Sequence, residues 1–540
     1  MSELAADDAD LSSLMQDLEP FPKPIRRLRH TGKTHRIMQR SFGGYESTSR
    51  GFRGPEHCVD WRSETADFVS LPSDRYTFGR SALPFCTAAC NTNPLVAFAD
   101  EEGNISLVDS SAGADFSKPH LQWKVHHNAI MDIAFSSDDY TLATASGDQT
   151  ARIVDVQTQK TMYILSGHNG SLKQVRFHPN DEKMVTTSSR DGSVQIWDLR
   201  VSSKTASQIL YPAGSKNTDS QTLYSKVSMD IGRAHSLTTG KTTQTSHSQP
   251  EMNGVSITAF QHLADDRSHM LATASQANAS IKLWDLRNFG RRGNAIPVSS
   301  TPTDHHNIRN VGIGALVLSG DGSRLYSVGR DSIVYAYSTN HLALGSAPEM
   351  SSAFPNRRAP KEGRMGVGPL YGYRHPDMRV GSFYVRAALR KAKDDKSELL
   401  AIGSTDHSPI LIPTDERHLP YRNNRPQELL DSDHEDEAEL PSLPAPSRST
   451  STAPPSNVDG LTVYDNIGTA LVRGHHKEVS SLTFTSEGNL VTISDDFRGR
   501  CWREDRERAK WLRTQGEGEG KRWASGWADV PSSWDESDDE

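Results

Sequence analysis

No run of about 18 apolar residues occurs anywhere in this chain, which excludes a membrane-spanning helix of ordinary length. The N-terminus, MSELAADDADL, is acidic where a secretory signal is basic and then apolar, so export is not expected. Cysteine is scarce: Cys58, Cys86, Cys90 and Cys501 are too few to staple 540 residues, as fits a reducing compartment. Nor does one sign of charge dominate. The formal net charge is −8 and much of the acid sits in 431–439 and 535–540, so duplex binding through bulk charge is not indicated and no sequence-specific nucleic-acid partner is expected. A P-loop, a Gly-rich dinucleotide fingerprint and HExxH are all missing, and His57 with Cys58, Cys86 and Cys90 matches no zinc-finger spacing. Neither a cofactor nor a metal is expected.

What the sequence has is a repeat. The end of DGSVQIWDLR (191–200) returns as Trp284-Asp285-Leu286-Arg287. More broadly, an acidic or amide residue is followed six places later by a bulky apolar or aromatic one in seven pairs: Glu102/Val108, Asp148/Val154, Asp191/Trp197, Asn278/Trp284, Asp331/Tyr337, Asp406/Ile412 and Asp496/Trp502. Upstream of several lie a Gly-His or His-His pair and alternating apolar residues, as in HHNAIMDIAF, GHNGSLKQVRF and GHHKEVSSLTF, which is strand patterning bounded by turn residues. The shortest spacings, 46 and 43 residues, match a four-stranded WD-repeat blade, and the longer ones imply inserts. The predicted fold class is all-β: a seven-bladed WD-repeat propeller over residues 57–505, with inserts at about 201–254, 340–369 and 413–458. A basic and acidic segment (1–56), expected to be disordered, precedes it and an acidic, Trp-containing tail (506–540) follows.

Within a blade, a buried polar chain is expected, because buried polar groups need partners. In the third copy His168, the strand hydroxyl of Ser188 or a neighbour, the turn carboxylate Asp191 and the indole N–H of Trp197 form it. His127 with Asp148, and His475 with Asp496 and Trp502, are the equivalents. A carboxylate beside an imidazole resembles part of a hydrolase triad, but its recurrence blade after blade points to structure, so no catalytic residue is assigned and no enzymatic activity is expected.

The inserts are polar. Residues 201–254 are rich in Ser, Thr and Gln, 340–369 in Pro, Arg and Gly, and 413–458 carry DSDHEDEAE before a Pro/Ser tract, so all three are expected to be unstructured. LTVYD (461–465) is expected to be the outer strand leading into the last blade, and HCVDWRSETADFV (57–69) is a candidate for the strand that closes the ring. FPKPIRRLRHTGKTHRIMQR reads as a nuclear import signal, a nucleic-acid-touching arm or a chance cluster. Trp523, Trp527 and Trp534 form a docking peptide or pack back onto the ring.

Four segments carry a more specific likeness: LPFCTAACNTNPLVAFADEEGNISLVD, HHNAIMDIAFSSDDYTLATASGDQTARIVDV, GHNGSLKQVRFHPNDEKMVTTSSRDGSVQIWDLR and YGYRHPDMRVGSFYVR. In this order, over about 83–505, they resemble the denticleless-type substrate receptors of the cullin-4 RING ubiquitin ligase. GDQTAR and GSFYVR are not generic propeller letters. The resemblance implies that the arginines of the Trp-Asp-x-Arg boxes lie at the ring's narrow face and dock the triple-propeller adaptor of the ligase. The matching residues are Trp197, Asp198 and Arg200, with Trp284, Asp285 and Arg287. A guanidinium is a permanent cation with a planar donor fork, suited to clamping carboxylates or carbonyls, and each aspartate can brace its arginine. The same resemblance implies a nuclear protein whose opposite, wide face holds degron-bearing clients on the replicative sliding clamp. Asp148, Arg190 and Tyr384 are top-loop candidates without an assigned role. The chain ends about 35 residues after the last blade, without the long extension of animal members, which gives it the look of a fungal member. A WD-repeat scaffold for chromatin or RNA processing would share the ring and the acidic insert.

Overall fold

The computed structural model describes residues 33–41, 60–79, 82–203, 222–235, 255–287, 296–303, 311–344, 364–393, 396–419, 456–458, 461–515, 522–531 and 533–536. Its antiparallel ladders fall into seven sets of four strands, over 84–124, 130–166, 172–231, 257–300, 313–374, 387–472 and 479–504, the last completed by Phe68–Ser70. We number these sheets one to seven. The second strand of each is flanked by two others in its own sheet and covered on both faces, which explains why it reads as small or β-branched residues without polar alternation: TLATAS (141–146), MLATAS (270–275) and LVTIS (490–494) are almost wholly buried.

The apolar cores lie between sheets. Ile105 and Leu107 of the first sheet pack with Ile133 and Leu142 of the second, Ile153 of the second with Val175 and Trp197 of the third, and so on to Val491 and Cys501 of the seventh, which meet Val96 and Phe98 of the first. The first strand of each sheet neighbours that of the next, and Val479–Phe484 neighbours Pro84–Ala89, so the arrangement is cyclic. Closure comes from the N-terminal side: Phe68 and Val69 pair with Glu504 and Arg503, and Arg75–Thr77 pair along Arg498–Arg500.

Several sequence expectations are corrected. LTVYD is not the outer strand of the sheet before the last; Leu461–Asp465 pairs in parallel with Tyr371–Arg374 as an extra strand on the fifth sheet, because Leu461 and Val463 pack into the core between sheets four and five. The outer strand of the sixth sheet is Thr469–Val472. The insert 201–254 contains the fourth strand of the third sheet, Leu223–Ile231, which pairs along Val194–Ser203. Residues 340–369 include the end of a short helix, Thr339–Leu344, and 413–458 contain the paired strand Ser456–Val458. The acidic run 431–439 lies outside the described residues. Before the ring, Lys33–Ser41 is a helix, α1, docked on the sheets. Beyond it, Gly526–Ala528 pairs with both Phe68–Ser70 and Thr469–Val472, burying Trp527, while Trp523 stays exposed. The tail therefore packs back onto the ring.

Candidate functional site

The two Trp-Asp-x-Arg boxes occupy the same place in successive sheets. Trp197 and Trp284 are buried in the third strand, opposite Val185 and Leu271, and Asp198 and Asp285 follow, opposite Met184 and Met270. Third strands of successive sheets run in the same sense, so both arginines emerge at one rim. The Arg200 backbone N–H donates to Asp198 Oδ1 at 3.0 Å and its Nε to the same oxygen at 2.8 Å. Arg287 repeats the fold-back on Asp285, at 2.9 Å from the backbone and 3.2 Å from Nε. Nη2 of Arg200 also reaches Asp181 at 2.8 Å. The hydrogen bond from Arg200 holds the Asp198 carboxyl below its ordinary pKa; at Asp285 burial pulls upward, but the bonds from Arg287 prevail and the net direction is also down. Both guanidinium-bearing side chains remain more than half exposed, at 56% and 65%. Exposed pairs of this kind contribute little stability, so what the aspartates do is fix direction, and part of each donor fork stays open to solvent.

The blade networks are present, with two corrections. The histidine of the second sheet is His126, not His127: Nδ1 lies 2.8 Å from Asp148 and Nε2 2.8 Å from Thr144 Oγ1, whereas His127 is exposed. The strand hydroxyl of the third sheet is Thr187, not Ser188. Thr187 Oγ1 is 2.8 Å from His168 Nε2 and accepts from Trp197 Nε1 at 2.8 Å, while Ser188 Oγ has no hydrogen-bond partner. Asp191 sits 3.2 Å from His168 Nδ1. In the seventh sheet Asp496, His475, Thr492 and Trp502 repeat the chain. The fourth sheet uses His235, which sequence reading missed because it lies in the polar insert; its Nε2 is 2.9 Å from Thr273 Oγ1, which accepts from Trp284.

Carboxylate to Nδ1, Nε2 to hydroxyl: the order is that of a hydrolytic triad. Yet Thr144, Thr187 and Thr492 are fully buried, so no scissile carbonyl can approach the hydroxyl, and the same chain recurs where only packing differs. These are struts. Burial is the largest influence on His126 and His475 and lowers their pKa, keeping the rings neutral, and hydrogen bonds from His126 and Thr150 hold Asp148 down at about 2 against its own burial.

The rim with the arginine boxes carries a second device. Asp321 and Glu398 lie in the first turns of sheets five and six, and Asp415 and Glu416 follow the third strand of sheet six; all four belong to that same edge. Onto them α1 lays Arg36 and Arg40, one turn apart. Arg40 Nη1 is 2.8 Å from Asp321, Nη2 donates to the Thr414 carbonyl at 3.1 Å, and Nε is 3.5 Å from Glu416; Arg36 lies 3.3 Å from the buried Glu398.

Comparison with known proteins agrees with this architecture. Residues 117–155 and 159–198 match the WD domain, G-beta repeat family; each match takes the outer strand of one sheet and the first three strands of the next, from the first sheet into the third. The chain is 26% identical to the cell division cycle protein cdt2 of Schizosaccharomyces pombe over 86% of its own length and 77% of that protein's. It is 27% identical to a denticleless protein homolog of Gallus gallus and 28% to that of Homo sapiens, over 65% and 51% of this chain. It spans 45% and 37% of those vertebrate proteins, less than half of each. The similarity is thus to denticleless-type WD-repeat proteins, as the four motif segments implied.

Proposed function

We propose that this chain is a non-catalytic substrate receptor of a ubiquitin ligase: Arg200 and Arg287 dock the triple-propeller adaptor of a cullin-4 complex, and the opposite rim presents nuclear, sliding-clamp-associated replication proteins for ubiquitylation. One observation carries the docking half of the reading. Two permanently charged, half-exposed forks are aimed from one rim by their own aspartates, at equivalent points of adjacent sheets, where a partner's carboxylates or carbonyls can be gripped by both. The likeness to denticleless-type proteins supports the role beyond docking. Ubiquitin transfer belongs to the RING partner and its conjugating enzyme, and this chain contributes position.

The test is reversal of both forks. Arg200→Glu with Arg287→Glu is expected to abolish co-purification with the adaptor and cullin while the melting temperature stays within about 2 °C, since both side chains are exposed. Adaptor recovery equal to wild type refutes the docking site. Retention of chromatin or RNA-processing partners in the absence of any ligase component would favour a general scaffold.

A further inference from the structure

The strands that close the ring bury a guanidinium that has no counter-ion among the described residues. Arg500, in the third strand of the seventh sheet (Arg498–Glu504), is 1% exposed. Its Nη2 donates to the Ala524 carbonyl at 3.0 Å and its Nη1 to Ser70 Oγ at 3.4 Å, while Nε–H has no acceptor. A buried cation is ordinarily paired, because taking its charge out of water without compensation is expensive.

Strand register adds two more cations on the same side. Arg75 lies directly opposite Arg500 and Thr77 opposite Arg498, and residues 498, 500 and 502 share one face of their strand. Arg75, Arg498 and Arg500 therefore stand together on the side where Trp502 packs against the sixth sheet. Arg75 and Arg498 are half-buried, and neither forms an ion pair with a described residue. Two acids act on Arg500, and both are engaged elsewhere: Asp74 takes Arg503 Nε at 3.1 Å, and Asp496 lies 3.4 Å from His475 Nδ1 and accepts the Arg498 backbone N–H at 3.1 Å. Burial, then the charges of Arg75 and Arg498, outweigh them and hold the Arg500 guanidinium down at about 10, so it is still a cation at neutral pH.

We propose that Arg75, Arg498 and Arg500 form a binding site for one small tetrahedral oxyanion of the phosphate class, which supplies the acceptor that Arg500 Nε–H lacks and neutralises the cluster. Several guanidinium forks on one face favour an ion with several acceptor oxygens over chloride. No peptide or nucleic-acid strand reaches a side chain this buried, whereas a free ion enters past the half-buried Arg75 and Arg498. Arg500 also holds Ser70 and Ala524, which come from before and after the ring, so the bound ion tightens the closure. The site is independent of adaptor docking, since Arg200 and Arg287 belong to the third and fourth sheets.

The probe is inorganic phosphate on the full-length chain, with chloride at matched ionic strength as the reference. Equilibrium dialysis with radiolabelled phosphate is expected to find about one ion per chain, and phosphate to raise the melting temperature saturably by about 2 °C or more. Proteolysis within 522–531 should slow at the same phosphate concentrations. Arg500→Met is expected to abolish binding and the melting shift while folding at least as well in chloride, because it removes an unpaired buried charge. Arg75→Ala/Arg498→Ala, at half-buried positions, should weaken binding about tenfold or more, and it decides the matter if Arg500→Met does not fold. Three results overturn the proposal: no bound phosphate, binding undiminished in these variants, or a melting rise that never saturates and is equal in them, which is general exclusion of phosphate from protein surface. Arg200→Glu/Arg287→Glu should bind phosphate as the unaltered chain does, so failure of this site and failure of adaptor docking are separately visible.

Discussion

Thr187 bridges two buried groups with one hydroxyl, accepting from the Trp197 indole and meeting His168 Nε2, so its removal orphans both. Thr187→Val is expected to destabilise by about 2–4 kcal/mol, from the desolvation cost of two unsatisfied groups, whereas Ser188→Ala should change little, since Ser188 Oγ has no partner to lose. Urea midpoints of the two variants check this. The assignment was within reach of the sequence. Trp197 pairs with Val185, so residues 185, 187 and 189 share its face and Ser188 points the other way. His126 and His127 were harder, because they precede the strand in a turn, where no period tells which imidazole faces inward. The glycine in the Gly-His pair has its own reason: a Cβ at Gly474 would sit 2.3 Å from the Trp502 ring. A second prediction concerns pH. His235 and His262 are held down at about 3, chiefly by burial, so below about pH 6.5 the unfolded chain takes up protons that the folded one refuses. Stability is complete above pH 7 and falls as pH drops toward 3, by about 2 kcal/mol per histidine at pH 5. The urea midpoint should therefore fall between pH 7 and 5, and His235→Gln should remove part of that dependence; a flat profile sinks the assignment.

At the scale of elements, α1 shows what spacing alone leaves unread. Arg36 and Arg40 at i and i+4 mark one face of a helix, and their side chains are buried against Asp321, Glu398, Asp415 and Glu416. Those partners lie hundreds of residues along the chain, so from sequence the segment read only as a basic cluster with several possible uses. Arg40→Ala leaves the buried Asp321 carboxylate without its cation, while Glu398 keeps Arg36 and Glu416 keeps Arg324, and is expected to cost about 3–5 kcal/mol, seen first as loss of hydrogen-exchange protection in 33–41. If exchange there is unaffected, the helix is not held by this pair. The extra strand Leu461–Asp465 teaches the same limit. Its alternation identified a strand, but nothing in LTVYD distinguishes the outer edge of one sheet from that of its neighbour.

For the whole molecule, the repeat made the ring legible because every sheet needs a neighbour on each face, and seven turn-to-strand pairs announced how often that need arises. What the repeat cannot announce is closure, since the closing strands break the pattern that defines the rest. Phe68–Ser70 lies between Arg498–Glu504 and Gly526–Ala528, so segments from before and after the ring are woven into one latch. Phe68 packs in the core between sheets six and seven, and Trp527 is buried with Arg473 and Arg522 over its faces at 5.2 and 4.9 Å. Phe68→Ala and Trp527→Ala should each cost about 3–5 kcal/mol. If the latch is one cooperative unit, either change frees both flanking strands, and the second then removes contacts already lost. The double variant should fall short of the sum by about 1 kcal/mol or more, with the first proteolytic cut moving to 60–79 or 522–531. Additive losses would mean that the two strands seal the ring independently, each stable on its side without the other.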